Sequence, residues 1–202
     1  INNLLKGVQR KQLSPAYSLS STSTFIDMDL SYLISRDNNN MNEKKNKSTD
    51  YYSKYENRKV FYTDASKQSN YVACAFITNN EDYYFPLSND TTITDAELTA
   101  ILEAIKYINK NPFNLSNNII YTDLLHALLQ IRDFNYKSTA LISNIILGLQ
   151  NDNCSHIVLA WVPAHCNIIG NEKEDKAANL STTLPKENQY EYTARTCYKE
   201  II

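Results

Sequence analysis

The chain has 202 residues, of which 43% are hydrophobic, 20 are Lys or Arg and 22 are Asp or Glu, for a formal net charge of −2. This apolar fraction is enough for a packed core and excludes wholesale disorder, and a content of only 3 Gly and 5 Pro excludes a collagen-like chain. No run approaches the ~20 apolar residues of a membrane span, and Ile1–Leu5 is too short for a signal peptide. We therefore expect an intracellular protein of the nucleus or cytoplasm, neither secreted nor bound to a membrane.

The charge is unevenly distributed along the chain. Residues 1–59 carry 10 basic and 6 acidic side chains, or +4, whereas residues 60–202 carry 10 and 16, or −6. An acidic domain repels the phosphates of a nucleic acid unless something offsets its charge, and a bound divalent cation is one way to do so.

Residues 1–58 are predicted to be a connector. Ser18–Thr24 is nearly all Ser and Thr, and Arg36–Asp50 has one apolar residue in fifteen. Such segments bury too little surface to offset the entropy of ordering. Apart from a short helix at Asn2–Leu13, we expect a largely disordered Asn-, Ser- and Lys-rich arm that follows an upstream region outside this chain.

The pattern changes after this arm. Val60–Thr63, Tyr71–Thr78 and Asp82–Leu87 are rich in β-branched and aromatic residues and predict three strands joined by polar turns. Thr94-Asp-Ala-Glu97 has the form of a capping box, and apolar residues at helical spacing follow it. Pro112 ends that helix.

The second half of the chain alternates between strands and helices. We expect strands at Asn118–Thr122 and Ile157–Trp161, and helices at Leu124–Arg132, Thr139–Leu149 and about Asn171–Leu180. The order β-β-β-α-β-α-α-β-α predicts an α/β fold, a mixed five-stranded sheet flanked by helices, whose last two strands run parallel to the first.

Four acidic residues fall where strands end and helices begin: Asp64, Glu97, Asp123 and Asp175. Strand carboxyl ends and the helix N-termini that follow them share one edge of such a sheet, where ligands bind. Carboxylates that converge there repel each other unless hard cations such as Mg²⁺ lie among them. Taken singly, each has an ordinary explanation as a helix cap, a turn residue or a solvated side chain. Only their joint arrangement indicates catalysis.

The motifs around these residues resemble the ribonuclease H family, in the variant found in reverse transcriptases of non-LTR retrotransposons. They are Phe61-Tyr-Thr-Asp-Ala-Ser66, Asp95-Ala-Glu-Leu98, Tyr121-Thr-Asp123 and Trp161-Val-Pro-Ala-His-Cys-Asn-Ile-Ile-Gly-Asn-Glu-Lys-Glu-Asp-Lys-Ala178. The resemblance covers residues 59–184 and leaves 185–202 as a C-terminal tail. Its Asp-Glu-Asp-His-Asp order matches the family throughout, whereas retroviral-type integrases of the same fold have the order Asp-Asp-Glu.

The resemblance implies a metal-dependent endonuclease that hydrolyses the RNA strand of RNA–DNA hybrids and leaves a 5′-phosphate and a 3′-hydroxyl. It implies that Asp64, Glu97, Asp123 and Asp175 hold two Mg²⁺ ions, with Mn²⁺ as the alternative, and that His165 assists proton transfer or product release. It also implies a fragment of a retrotransposon polyprotein, with a reverse transcriptase region tethered upstream.

Three departures from the family pattern leave alternatives open. Ala65 stands where the family usually has Gly, Leu124 replaces a small hydroxyl residue, and the short segment 132–137 lacks the basic insertion of the cellular enzymes. We therefore expect the isolated domain to bind hybrids weakly and to depend on the tethered polymerase for affinity. Ala65 leaves open a catalytically inactive ribonuclease H-fold domain that binds nucleic acid or acts as a scaffold. A stand-alone cellular ribonuclease H is the other alternative, and the missing basic insertion and the connector-like arm disfavour it.

Overall fold

The computed structural model describes residues 25–34, 40–69, 71–79, 81–111, 117–135, 138–150 and 156–164. Its N-terminal part contains strand β1 (Ile26–Asp27), helix α1 (Asp29–Leu33), helix α2 (Met41–Tyr52) and a short 3₁₀ helix (Ser53–Tyr55). We call residues 25–34 and 40–55 together the N-terminal segment.

The rest of the described chain follows the predicted order of elements. It consists of β2 (Lys59–Gln68), β3 (Tyr71–Ile77), β4 (Asp82–Leu87), α3 (Ile93–Lys110), β5 (Asn118–Thr122), α4 (Leu125–Arg132), α5 (Ala140–Leu149) and β6 (Ile157–Trp161). None of the helices in the described ranges has both the length and the apolar content needed to cross a bilayer. The predicted final helix at 171–180 and the tail at 185–202 lie outside these residues.

One mixed sheet organises these elements, with the strand order β1-β6-β5-β2-β3-β4. Strands β2, β3 and β4 form an antiparallel meander, whereas β5 runs parallel to β2, and β6 parallel to β5. The predicted α/β class and the parallel placement of the last two strands are confirmed. The strand count differs from the prediction because β1 adds a sixth strand, parallel to β6.

The prediction that residues 1–58 are largely disordered is wrong for the part that the structure describes. Asn40 caps α2 by accepting hydrogen bonds from the backbone N–H groups of Asn42 and Glu43. A Glu43–Lys47 ion pair of 2.7 Å then supports the first turns. These local contacts add little stability alone, so the helix depends on Tyr52 at its C-terminal end, which packs on the sheet.

The sheet buries apolar residues on both faces. The main core lies against α3, α4 and α5 and includes Phe61 and Ile120 together with Met28 of the N-terminal segment. Ile119 and Tyr121 alternate with Ile120 along β5, so they face the opposite side. There the N-terminal segment covers them with the tyrosine side chains of α2 and the 3₁₀ helix, Tyr52 and Tyr55.

Helix α3 begins earlier than the sequence predicted. Its N-cap is Thr92, whose hydroxyl oxygen accepts a hydrogen bond from the Asp95 N–H at 3.1 Å. The same hydroxyl donates to the Asp95 carboxylate at 2.8 Å. The helix is therefore capped by Thr92 together with Asp95, and the expected capping box from Thr94 to Glu97 is wrong. Glu97 is consequently the fifth residue of the helix, where a side chain has no capping role.

Candidate active site

Three acidic side chains from three different elements meet at one edge of the sheet. Asp64 lies in β2, Glu97 in α3 and Asp123 directly after β5, and each offers a carboxylate oxygen within 4.8 Å of the others. The sequence placed Asp64 at the end of its strand, but β2 continues to Gln68. The parallel pairing of β2 with β5 nevertheless ends at Thr63 and Thr122. Asp64 and Asp123 therefore both follow the last pair of that ladder, which brings them together.

Glu97 is the buried member of this cluster, with 4% of its surface exposed. Its Oε1 accepts a hydrogen bond from the backbone N–H of Ala65 at 3.0 Å, which fixes the carboxylate beside β2. Its Oε2 is also buried and has no hydrogen-bond donor among the residues that the structure describes. A buried carboxylate oxygen without a donor is costly, and a cation is the partner that would offset this cost.

The electrostatics of the cluster agree with this geometry. Burial raises the pKa of Glu97 well above its usual value, and the nearby charges of Asp64 and Asp123 raise it further. The hydrogen bond from the Ala65 N–H lowers the pKa of Glu97, but by less than burial and the neighbouring charges raise it. With no cation present, Glu97 thus holds its proton more tightly than an exposed glutamate does.

Asp123 is placed by backbone contacts and does not cap the helix that follows it. The N-cap of α4 is Leu124, whose side chain makes no capping hydrogen bond. Trp161, the last residue of β6, pairs in register with Thr122, and its indole Nε1–H donates to the Asp123 backbone oxygen at 2.9 Å. The structural explanations of Asp123 and Glu97 as helix caps therefore both fail.

Two of the predicted site residues, His165 and Asp175, lie outside the described residues, and their roles stay predictions. Trp161 is not among the site residues predicted from the sequence, where it appears only as the end of a strand and the start of the last motif. The signal that could have found it is strand order, because neighbouring parallel strands that end at Thr122 and Trp161 bring the indole to the residue after Thr122.

The cluster fits a hard divalent cation. Asp64, Glu97 and Asp123 supply only oxygen ligands, and one of those oxygens is buried without a donor. Magnesium and manganese both accept carboxylate ligands of this kind, so the donor set does not select between the two ions.

Comparison with known proteins decides the family. Residues 56–182 match the family model described as RNase H. This chain belongs to the ribonuclease H family. The protein named Ribonuclease H from Ehrlichia canis (strain Jake) is 27% identical over 136 residues, which cover 59% of this chain and 90% of the relative. The protein of the same name from Ehrlichia chaffeensis (strain ATCC CRL-10679 / Arkansas) is 30% identical over 139 residues, covering 60% and 92%.

The departure from the family pattern at Ala65 has a structural counterpart. The Ala65 side chain packs against a small buried cluster that includes Ala96 and Ala100 of α3. Its methyl group therefore lies against this cluster, while its N–H donates a hydrogen bond to Glu97. In this ribonuclease H chain, an alanine at this position is compatible with the hydrogen bond to the site glutamate.

Proposed function

We propose that this chain is a metal-dependent endonuclease that hydrolyses the RNA strand of RNA–DNA hybrids. The observation that carries the proposal is the cluster of Asp64, Glu97 and Asp123, with the buried Oε2 of Glu97 lacking a donor. Membership of the ribonuclease H family and the names of the two relatives support this reaction and this substrate.

The three carboxylates would hold the metal ions, Mg²⁺ or Mn²⁺. Two such ions, once bound, would supply an activated water and would stabilise the leaving oxygen of a phosphodiester. The other residues of this chain hold the three carboxylates in place. The Ala65 N–H holds Glu97, the β2–β5 ladder holds Asp64 beside Asp123, and the Trp161 indole holds the backbone of Asp123.

Further roles follow from the sequence motifs and are part of the same proposal. Asp175 is the fourth metal ligand, and His165 assists proton transfer or product release. The cut leaves a 5′-phosphate and a 3′-hydroxyl, and the 2′-hydroxyl marks the strand to be cut.

The test is cleavage of a labelled RNA–DNA hybrid in the presence of Mg²⁺. We expect the wild-type chain to cut the RNA strand and Asp64→Asn to reduce the rate at least about 100-fold, because a ligand charge is removed while the side-chain shape is kept. Asp82→Asn, which removes an exposed carboxylate at the start of β4, is the matched control and should cut at the wild-type rate.

Two results would separate this proposal from the catalytically inactive alternative. If Asp64→Asn loses cleavage and Asp82→Asn retains it, the activity belongs to this site. Hybrid binding by the wild-type chain without any cleavage, in either Mg²⁺ or Mn²⁺, would contradict the nuclease and favour a binding or scaffolding domain.

The origin of the chain and its location are finer parts of the proposal. A retrotransposon polyprotein with a tethered reverse transcriptase, placed in the nucleus or cytoplasm, rests on the motif resemblance. The coding sequence upstream of Ile1 tests it. A reverse transcriptase reading frame there supports it, and a start codon with no such frame favours the stand-alone cellular enzyme.

A further inference from the structure

Trp161 connects the candidate active site to the opposite end of the chain. Its indole N–H donates to the Asp123 backbone oxygen at 2.9 Å. Its own carbonyl accepts a hydrogen bond from the hydroxyl of Tyr52, the last residue of α2. Trp161 is therefore held from one side by the N-terminal segment, and it holds Asp123 on the other.

Tyr52 is well placed to keep this contact. Its ring packs edge-on against Tyr121 of β5, with 4.9 Å between ring centroids. Burial raises the pKa of the Tyr52 phenol, so the hydroxyl stays protonated and remains a donor. The same residue thus contacts both strands, β5 and β6, whose ends carry Asp123 and Trp161.

A second group of contacts fixes α2 on the sheet. The carboxylate of Asp27, in β1, accepts hydrogen bonds from the hydroxyls of Tyr51 and Tyr55, each at 2.7 Å. Lys54 forms an ion pair with it at 2.9 Å. Asp27 is only 8% exposed and pairs with Ala160, the residue before Trp161. The N-terminal segment therefore binds to β6 directly beside Trp161, which contacts the active site.

We propose that Trp161 is a positioning residue for Asp123 and that Tyr52 positions Trp161, which makes the N-terminal segment a functional part of the active site. The segment lies before residues 56–182, the range that matches the ribonuclease H family. The proposal rests on the proposed function, because it assigns Asp123 as a metal ligand. Contacts that orient a ligand typically change metal affinity or activity by about 10- to 100-fold when they are removed.

The test uses two variants. Tyr52→Phe keeps the ring that packs on Tyr121 and removes only the hydroxyl, whereas Trp161→Phe removes the indole N–H together with part of a ring that packs against the main core. Tyr84→Phe is the matched control, because its hydroxyl bonds to the exposed Asp82 on β4. We expect kcat on a labelled hybrid to fall about 10- to 100-fold in Trp161→Phe and about 3- to 10-fold in Tyr52→Phe, with KM within roughly twofold of wild type.

A readout other than cleavage separates positioning from a merely structural role. Trp161 is the only tryptophan in the chain, so its fluorescence reports directly on Mn²⁺ bound at the neighbouring carboxylates. We expect Tyr52→Phe to raise the Mn²⁺ concentration at half-quenching by about 3- to 10-fold and Tyr84→Phe to leave it unchanged. The thermal midpoint of unfolding, measured on the same samples, shows that Tyr52→Phe is folded.

Each outcome decides the proposal. An Mn²⁺ midpoint for Tyr52→Phe equal to that of the wild type overturns it, even if the variant is less stable. If the wild type binds Mn²⁺ but cuts no hybrid, the proposed function fails, while the comparison of Mn²⁺ midpoints still tests the positioning. A wild-type chain whose fluorescence does not respond to Mn²⁺ overturns the positioning of a metal ligand as well.

Discussion

At the scale of single residues, Glu97 carries the unfavourable electrostatics of the site. It is buried, it lies beside two other carboxylates, and one of its oxygens lacks a donor among the described residues. A protein without catalytic need for this arrangement would gain stability by replacing it, because strained and repulsive groups persist mainly where function requires them.

Glu97→Gln should therefore separate stability from activity. The introduced amide can still accept the Ala65 N–H bond, and it removes one negative charge from the cluster. We expect the metal-free variant to be more stable at neutral pH by on the order of 1 kcal/mol and its cleavage to be lost. The stabilisation that Mg²⁺ gives the wild type should also disappear, as measured by thermal unfolding with and without the ion.

Glu103→Gln is the control for this experiment because it lies on the same helix and forms an ion pair with Lys106 at 2.9 Å. It should keep the response to Mg²⁺ and gain no stability. A Glu97→Gln variant that is still stabilised by Mg²⁺ to the wild-type extent would show that the cation binds elsewhere.

At the scale of elements, Asp27 joins β1, α2 and the 3₁₀ helix through one carboxylate. Burial acts to raise its pKa, but hydrogen bonds from Lys54, Tyr51 and Tyr55 outweigh it and lower the pKa below its ordinary value of 3.8. A carboxyl with a lowered pKa stabilises the fold above its unfolded-state pKa and loses this contribution as the pH falls through the folded-state value.

Asp27→Asn should lower the free energy of unfolding by about 1–3 kcal/mol at pH 7, since hydrogen bonds to a charged acceptor are lost. The difference between the variant and the wild type should shrink as the pH is lowered below about 4. Urea unfolding at a series of pH values measures this difference. Asp29→Asn, two residues away and exposed, is the control. A difference that stays constant down to acid pH would contradict the assigned role of the charge.

The same elements show how far the sequence could predict the structure. Strands β2 to β6 and helices α3 to α5 were predicted, because their apolar residues alternate or recur at helical spacing. The N-terminal segment was missed because β1 has only two residues and depends on pairing with β6. Helix α2 was missed because its anchors, Tyr52 on the sheet and Tyr51 on Asp27, lie beyond the polar run that indicated a connector. Contacts distant in sequence, not local pattern, determine both elements.

The site was partly predictable for a related reason. The motifs indicated Asp64, Glu97 and Asp123, and the structure brings these three together. The role of Trp161 was not predictable from its motif, because it depends on the register of β5 against β6 and on a hydrogen bond to backbone. Every residue has a backbone carbonyl, so a hydrogen bond to this group cannot be predicted from the residue type.

At the scale of the whole molecule, the charge distribution limits binding of a polyanion. Residues 60–202 carry a formal charge of −6. At the end of α4, the Arg132 guanidinium pairs with Asp133 at 2.7 Å, which offsets its charge. The lysines of α2 belong to the N-terminal segment. The tyrosines of this segment cover the face of the sheet opposite to α3. Two cations on the elements that carry the carboxylate cluster are also engaged: Lys67 on β2 donates a hydrogen bond to the Thr91 backbone oxygen at 2.7 Å, and Lys106 on α3 pairs with Glu103 at 2.9 Å.

We expect this chain alone to bind an RNA–DNA hybrid with a dissociation constant above about 1 μM at physiological salt. The plot of log affinity against log salt should have a shallow slope, no steeper than about −3, because few phosphates are contacted. Fluorescence anisotropy with the Asp64→Asn variant measures binding without consuming the substrate. Submicromolar affinity with a steep slope would contradict this expectation, and it would remove the need for a tethered polymerase.

The two-residue strand β1 has a consequence for how fragments of this protein should be made. The Phe25 carbonyl accepts a hydrogen bond from the Leu159 N–H at 2.7 Å, so β1 occupies the outer edge of β6. Strand β6 is an apolar run, Ile157–Trp161, and an uncovered apolar edge is a template for strand pairing between molecules. A fragment that contains only the family-matched residues 56–182 would expose this edge and would be prone to aggregate. By covering the edge, the short strand helps to keep the domain soluble.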